Sequence, residues 1–351
     1  MNNKIVMIRK WVLTILLAMV IGSVLILMIS ENPLDAYAAL IKGAFNGKLK
    51  FGTTLASFTP LLLTSTAFAV AAKGGAFNVG VEGEVFLGGI TAAYIGINWT
   101  FLPAPILLVT CFLGAMAVGA AWAFIPGFLK AEYGVNEVCV TILMNSVAQY
   151  IASYLVSGPM SAGVANSQSL PVTVTLPKFL KPSNANAGMF IAIVTVIFIG
   201  WMLKKTTFGY KVRTVGTNPV HAEYTGMKPR KVLVQTMMIS GALGGMAGCI
   251  EVLGVYGYYL DNFAVGLGSN GMLAALIARS NVAVGPIVSF FLAVLKAGAM
   301  GMQQSTGVPK SIVDTITATF ICVATMDLLF TFYGSKKKKK SEKSDKEGQE
   351  A

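Results

Sequence analysis

The chain reads as long apolar runs separated by short polar stretches. Ten runs stand out, at about 11–29, 52–72, 77–97, 104–129, 136–157, 189–203, 232–250, 264–278, 282–300 and 312–333. A helix needs roughly 20 mostly apolar residues to cross a bilayer, because lipid offers the backbone no hydrogen-bond partners. The pattern predicts an all-α, polytopic membrane helical bundle of about ten transmembrane segments. The third and eighth runs are the weakest. Glu82 and Glu84 interrupt the third, and Gly266, Gly268, Ser269, Asn270 and Gly271 interrupt the eighth. Arg9 and Lys10 precede the first run, as in a signal peptide. Its length and the lack of a small-residue cleavage site favour a retained anchor.

Composition agrees. Of 351 residues, 55% are apolar and 12% charged, about half the charged share of a soluble globular protein. A disordered chain is excluded, and a soluble enzyme is disfavoured. The 37 glycines suit close helix packing in lipid, and Gly241/Gly245 and Gly244/Gly248 have the spacing that lets a second helix approach. The four cysteines (Cys111, Cys139, Cys249 and Cys322) lie in apolar stretches without CxxC spacing, so no metal site or disulfide framework is expected. His221, the one histidine, leaves little for a metal site or a triad. Gly266, Gly268 and Gly271 match GxGxxG, but no strand precedes them and no βαβ unit follows, so no dinucleotide site is read there. There is no P-loop sequence, so the chain itself is not expected to bind ATP.

Charge sets the orientation. The segment 204–231 carries seven Lys and Arg against one acid, Glu223, and is expected in the cytoplasm. The N-terminus with Lys4, Arg9 and Lys10, and the C-terminus with Lys336 to Lys340, are expected there too, which ten crossings allow. Residues 1–335 are read as one transmembrane domain. Residues 336–351 are read as a basic, disordered cytoplasmic tail near anionic headgroups, without the interleaved aromatics of a nucleic-acid site. The longest outer stretch, 158–188, is read as a structured loop or short surface helix. The stretch 31–51 is read as a loop.

Two stretches echo each other: FNVGVEGEVFLGG at 77–89 and FAVGLGSNGMLAA at 263–275. Further on, YGVNEVCVTI at 133–142 echoes TGVPKSIVDTI at 306–316. The topology places the halves in opposite senses, an inverted repeat with broken helices. Paired Gly-interrupted segments at matching places point to a translocation site. Asn78, Glu82, Glu84 and Asn270 are therefore candidates for a water-accessible substrate path. Equally, Glu82 and Glu84 could simply favour a helix N-terminus, where negative charge is stabilising.

The basic segment contains TNPVHAEYTGM at 217–227. Asn218 suits an N-cap, Pro219 the first helical position, and Gly226 a left-handed end. A helix of about two turns follows, too short to stand alone. It either receives mechanical input from a separate motor or merely joins two spans.

NVGVEG, NEVCVTILMNSVAQYIASYLV, TTFGYKVRTVGTNPVHAEYTGM and the closing TGVP segment together resemble the permease subunits of bacterial ABC importers. The branch is that of nucleosides and simple sugars, related to ribose and branched-chain amino-acid permeases. The resemblance covers nearly all of 11–333. Where that family commonly reads AVGxNPxAAxxxGI, this chain has His221 for a small residue and Met227 for Ile. The resemblance implies a bacterial plasma-membrane protein working with three partners: a cytoplasmic ATPase that binds ATP and Mg, a second permease in a heterodimer, and an extracellular substrate-binding lipoprotein. It makes Asn218, Pro219, His221, Ala222, Glu223, Tyr224 and Gly226 the coupling helix seated on the ATPase, and nucleosides the expected cargo. A sugar or amino-acid permease on the same scaffold is the nearest alternative. An ion-coupled secondary transporter, recruiting Glu82, Glu84 and Asp314, and a non-transporting scaffold are more distant ones.

Overall fold

The structure, a computed structural model, describes residues 16, 19–28, 32–163, 168–309 and 311–319. Part of the first apolar run, most of the tenth and the whole tail 336–351 lie outside the described residues. The helices are α1 (Met19–Met28), α2 (Pro33–Phe45), α3 (Gly47–Lys73), α4 (Val81–Asn98), α5 (Ala104–Tyr133), α6 (Glu137–Ser157) and α7 (Gly188–Lys205). There follow α8 (Thr207–Thr217), α9 (Pro219–Tyr224), α10 (Pro229–Ile250) with a π-helical extension Glu251–Tyr256, α11 (Leu267–Ile277), α12 (Gly285–Thr306) and α13 (residues 311–319). Among the described residues the only β pairing is three isolated bridges.

Six described helices are long and apolar enough to cross a membrane: α3, α5, α6, α7, α10 with its extension, and α12. The remaining runs depart from expectation in instructive ways. The run at 77–97 gives an 18-residue helix with two carboxylates in its first turn. The run at 264–278 gives only the 11-residue α11, about 16 Å long at 1.5 Å per residue against about 30 Å of hydrocarbon. It cannot cross alone. Residues 31–51, read as a loop, hold α2, whose start is capped by Asn32 accepting from the Leu34 amide at 3.0 Å.

The described residues fall into two compact units, 41–298 and the remainder. In the smaller unit Tyr37 donates to the Met19 carbonyl at 2.7 Å, tying α2 to α1. The larger unit is built on α3 and α10, whose spans are mostly buried. Their central turns are largely apolar, as suits a helix packed on most sides. The small residues of α10 serve two partners. A Cβ on Gly241 or Gly245 would come within 2.2 Å of α5 backbone oxygens, at Gly119 and Ala115. A Cβ on Gly248 would lie 2.1 Å from the Val85 carbonyl of α4. The two small-residue pairs thus admit two different helices to backbone contact.

Of the two forms expected for 158–188, the described residues 168–187 take that of a structured loop rather than a short surface helix. Val172, Val174 and Leu176 are buried and alternate with exposed neighbours, the period of extended chain. Its amides bond to existing structure: Val172 to the Gly257 carbonyl at 2.9 Å, Thr173 to Gly96 at 3.1 Å and Leu176 to Leu253 at 2.8 Å. It is laid across the ends of α4 and the π-helical turn.

Candidate functional site

Glycines at matching repeat positions open both interrupted helices. Gly80 is the N-cap of α4 and Gly266 the N-cap of α11. Gly266 has φ +80°, which glycine adopts at no steric cost. The irregular stretches 74–80 and 257–266 return the chain to a common point, where the two helix starts meet. A Cβ on Gly268 would lie 2.5 Å from the backbone nitrogen of Glu82. Ser269, in the first turn of α11, directs its amide and hydroxyl at Glu82 Oε2, at 3.4 and 3.2 Å. Glu82 therefore supplies the first turn of α11 with an anion that helix lacks in its own sequence, which the helix dipole favours. Glu82 and Asn270 are both partly exposed beside this junction.

Asn78 and Glu84 are placed differently. Both are buried. Asn78 Nδ2 donates to Glu84 Oε1 at 2.7 Å and to Ser240 Oγ of α10 at 2.9 Å, while its Oδ1 accepts from the Gly80 amide at 3.1 Å. Glu84 Oε2 has no hydrogen-bond partner among the described residues and lies where a Cβ on Gly244 would come within 2.6 Å. The pair latches the 74–80 turn to α10 and faces no solvent in this conformation.

A helix break inside a membrane needs replacement partners for its freed backbone groups, and α6 supplies them. Asn145 Oδ1 accepts from the Gly83 amide at 2.8 Å, and its Nδ2 donates to the Val79 carbonyl at 3.0 Å. One and two turns on, Gln149 donates to Asn262 and Ser153 to Asp261. This i, i+4, i+8 ladder holds α6 against the approaches to both broken helices. The neighbouring stripe of α6 is open: Ser146 is exposed, and Tyr150 and Tyr154 are 74% and 72% exposed. Sequence reasoning missed this face. The spacing of polar residues in NSVAQYIASYLVS was the available signal.

The basic segment forms two helices where one was expected. Thr206 caps α8 by accepting from the Gly209 amide at 3.1 Å. Asn218 caps α9 by accepting from the His221 amide at 3.0 Å, with Pro219 first in the helix. Gly226 follows at φ +79°. Ala222 is buried, whereas His221, Glu223 and Tyr224 are exposed, Tyr224 to 87%. The last turn of α8 sits on the end of α3. A Cβ on Gly216 would lie 2.0 Å from the Lys73 carbonyl, and Gly75 faces the Gly216 Cα in return. The 74–80 turn that begins there ends at Asn78 and the start of α4. At the same turn Lys130 donates to the Gly75 carbonyl at 2.8 Å and pairs with Glu137, which accepts from the Phe77 amide at 3.0 Å. The exposed helix α9 is thereby joined, element by element, to the junction of the broken helices.

Residues 51–332 match the family model described as branched-chain amino acid transport system, permease component. The chain is 33% identical over 335 residues to a guanosine ABC transporter permease of Bacillus subtilis, covering 93% of this chain and 96% of that one. It is 32% identical over 323 residues to a glucose ABC transporter permease of Haloferax volcanii, covering 88% and 85%. It is 29% identical over 371 residues to a nucleoside ABC transporter permease of Lactococcus lactis, covering 100% of both. The chain is a multi-pass membrane component of a transport system, not an enzyme, and such permeases work with ATPase and substrate-binding partners. The chain belongs to the branched-chain amino acid transport system permease family of ABC transporters.

Proposed function

We propose that this chain is one permease of a heterodimeric, ATP-driven importer of nucleosides in a bacterial plasma membrane, with both termini in the cytoplasm. ATP and Mg are bound by the partner ATPase, on which α9 (Asn218, Pro219, His221, Ala222, Glu223, Tyr224) and Gly226 rest as the coupling element. An extracellular lipoprotein delivers the substrate. The observation that carries the cargo is the similarity, along nearly the whole chain, to permeases named for guanosine and for nucleosides. The permease named for glucose makes a simple sugar the second reading.

The mechanism follows the contacts. Movement of α9 passes through α8 to the Gly216–Gly75 contact and into the 74–80 turn. That turn carries Asn78, whose bonds to Glu84 and Ser240 make it rigid enough to transmit displacement to the start of α4. There Glu82 and Asn270 line the path, with the tyrosines of α6 as the surface beside it. An aromatic ring face accepts a nucleobase by stacking without reading its identity, as suits a path whose selectivity is set by the delivering protein. The test is uptake of labelled guanosine and labelled glucose by the assembled importer with its binding protein. Saturable guanosine uptake that excess glucose leaves unchanged supports the nucleoside reading. Glucose uptake without guanosine uptake replaces it with the second.

A further inference from the structure

Between the last turns of α7, the end of α3, Arg213 of α8 and the entrance to α12 lies a groove of about 680 Å³. Its rim carries Lys73, Lys204, Lys205 and Arg213, and no Asp or Glu is among its described lining residues. Its floor is apolar, formed by Ile197, Trp201, Val282 and others of α7 and the α12 entrance. Along α7 the apolar Val196, Ile197 and Gly200 come first and the cations Lys204 and Lys205 end the helix. The apolar surface continues along α7 on residues turned away from the protein, with Val194 and Ile197 exposed to 65% and 66% and Phe198 and Trp201 each to 55%. Trp201 lies tilted beside Phe198, ring centroids 5.9 Å apart, one turn before Lys204 and Lys205, an arrangement that suits the edge of a bilayer.

Position 200 opens into the groove. A Cβ there would meet only a Val282 methyl at 3.8 Å, so longer side chains would grow into open space between α7 and the α12 entrance. Small inorganic anions would use the rim and leave the floor empty. An acidic protein surface would do the same. A molecule with an anionic head and an apolar chain leading away from it uses both, and basic pockets between membrane helices on the cytoplasmic side take such headgroups.

We propose that this groove is a binding site for an anionic phospholipid of the leaflet at the basic end of the molecule. The phosphate sits among Lys73, Lys204, Lys205 and Arg213, and an acyl chain lies along Gly200, Ile197 and Val194. The site depends on the chain being a membrane protein and not on what it transports. Through Arg213 of α8 and Lys73 of α3, the headgroup bridges the two elements that meet at Gly216.

The test uses the assembled transporter, purified in mild detergent, titrated with phosphatidylglycerol or phosphatidylcholine and read by native mass spectrometry. Phosphatidylglycerol is expected to be held about tenfold more tightly, and Lys204→Ala or Arg213→Ala to weaken it about fivefold each, given roughly 1 kcal/mol per cation at a membrane surface. Gly200→Leu changes no charge and is expected to weaken retention by a similar factor, while Gly200→Ala, whose methyl the groove accommodates, leaves it intact. Intact complex mass confirms assembly of each variant. Equal retention of the two lipids would overturn the proposal, as would Gly200→Leu without effect. Glycerol phosphate displacing the lipid at equal concentration would reduce the site to a plain anion site. Retention only after the ATPase is stripped away would give the cations to the partner.

Discussion

Gly268 packs against the backbone of Glu82, and the two are counterparts in the internal repeat: 77–89 aligns with 263–275, and position 82 falls on position 268. Residues exchanged by a two-fold axis can touch only close to that axis. In the inverted repeat expected from the sequence, this contact would lie on the axis, at the junction of the two broken helices. The pairing around it agrees: α4 packs on α10 and α11 on α3, while α3 and α10 pack on each other. The second echo has the same character. Gly134 and Gly307 each follow a helix end with φ of +66° and +73°.

Gly268→Ala puts a methyl 2.5 Å from the Glu82 nitrogen, where backbone on both sides must move. Overpacking of this kind costs about 1–3 kcal/mol. A lower melting temperature in detergent and strongly reduced uptake are expected. Glu82→Gln keeps the shape and an acceptor for Ser269, so it is expected to fold normally and lower uptake only a few-fold through the lost charge, an effect of about 1 kcal/mol at a helix N-terminus. Unchanged uptake in both variants would remove the junction from the path.

Asn78→Ala withdraws a donor from the buried Glu84 and from Ser240, at a cost of about 1–3 kcal/mol. Because the groups share one network, Asn78→Ala and Glu84→Ala together should cost at least about 0.5 kcal/mol less than the sum of the two. Thermal unfolding of the four species measures it. Strict additivity would mean that the latch holds nothing in common.

Gly216→Ala drives a Cβ into the Lys73 carbonyl and should separate α8 from the 74–80 turn. The expected signature is uncoupling: ATP hydrolysis continues while substrate moved per ATP falls. A parallel loss of both would point to misassembly instead.

Tyr150→Phe should transport within about twofold of the parent and Tyr150→Ala about tenfold less, since stacking on an aromatic side chain is worth roughly 1–3 kcal/mol per base. Initial uptake rates decide. Equal loss in both would assign the role to the hydroxyl.

Much of this was readable along the chain. Asn218, Pro219 and Gly226 act locally, within one turn of the residues they control, and α9 begins and ends where they indicate. The two small-residue pairs of α10 were readable for the same reason, although which helix each admits was not. Residues whose meaning lies in a distant partner could not be read. Nothing near Glu84 in sequence announces Ser240 or Gly244, so its burial was invisible and it stood beside Glu82 as an equal candidate. Hydropathy alone also counted 264–278 as a span, because the ten-residue approach 257–266 that shortens it is itself largely apolar. The alternation at 172–176 was plain, but only the carbonyls of Gly96, Leu253 and Gly257 make it extended rather than helical.

The central claim is that this chain is a gate worked through α9 by another protein's ATP hydrolysis. Uptake of labelled guanosine into vesicles holding the assembled importer, with ATP supplied and the proton and sodium gradients collapsed, tests it most directly. Accumulation that persists under those conditions and stops when ATP is withdrawn is the predicted result. Accumulation that stops with the ion gradients while ATP remains high would contradict it.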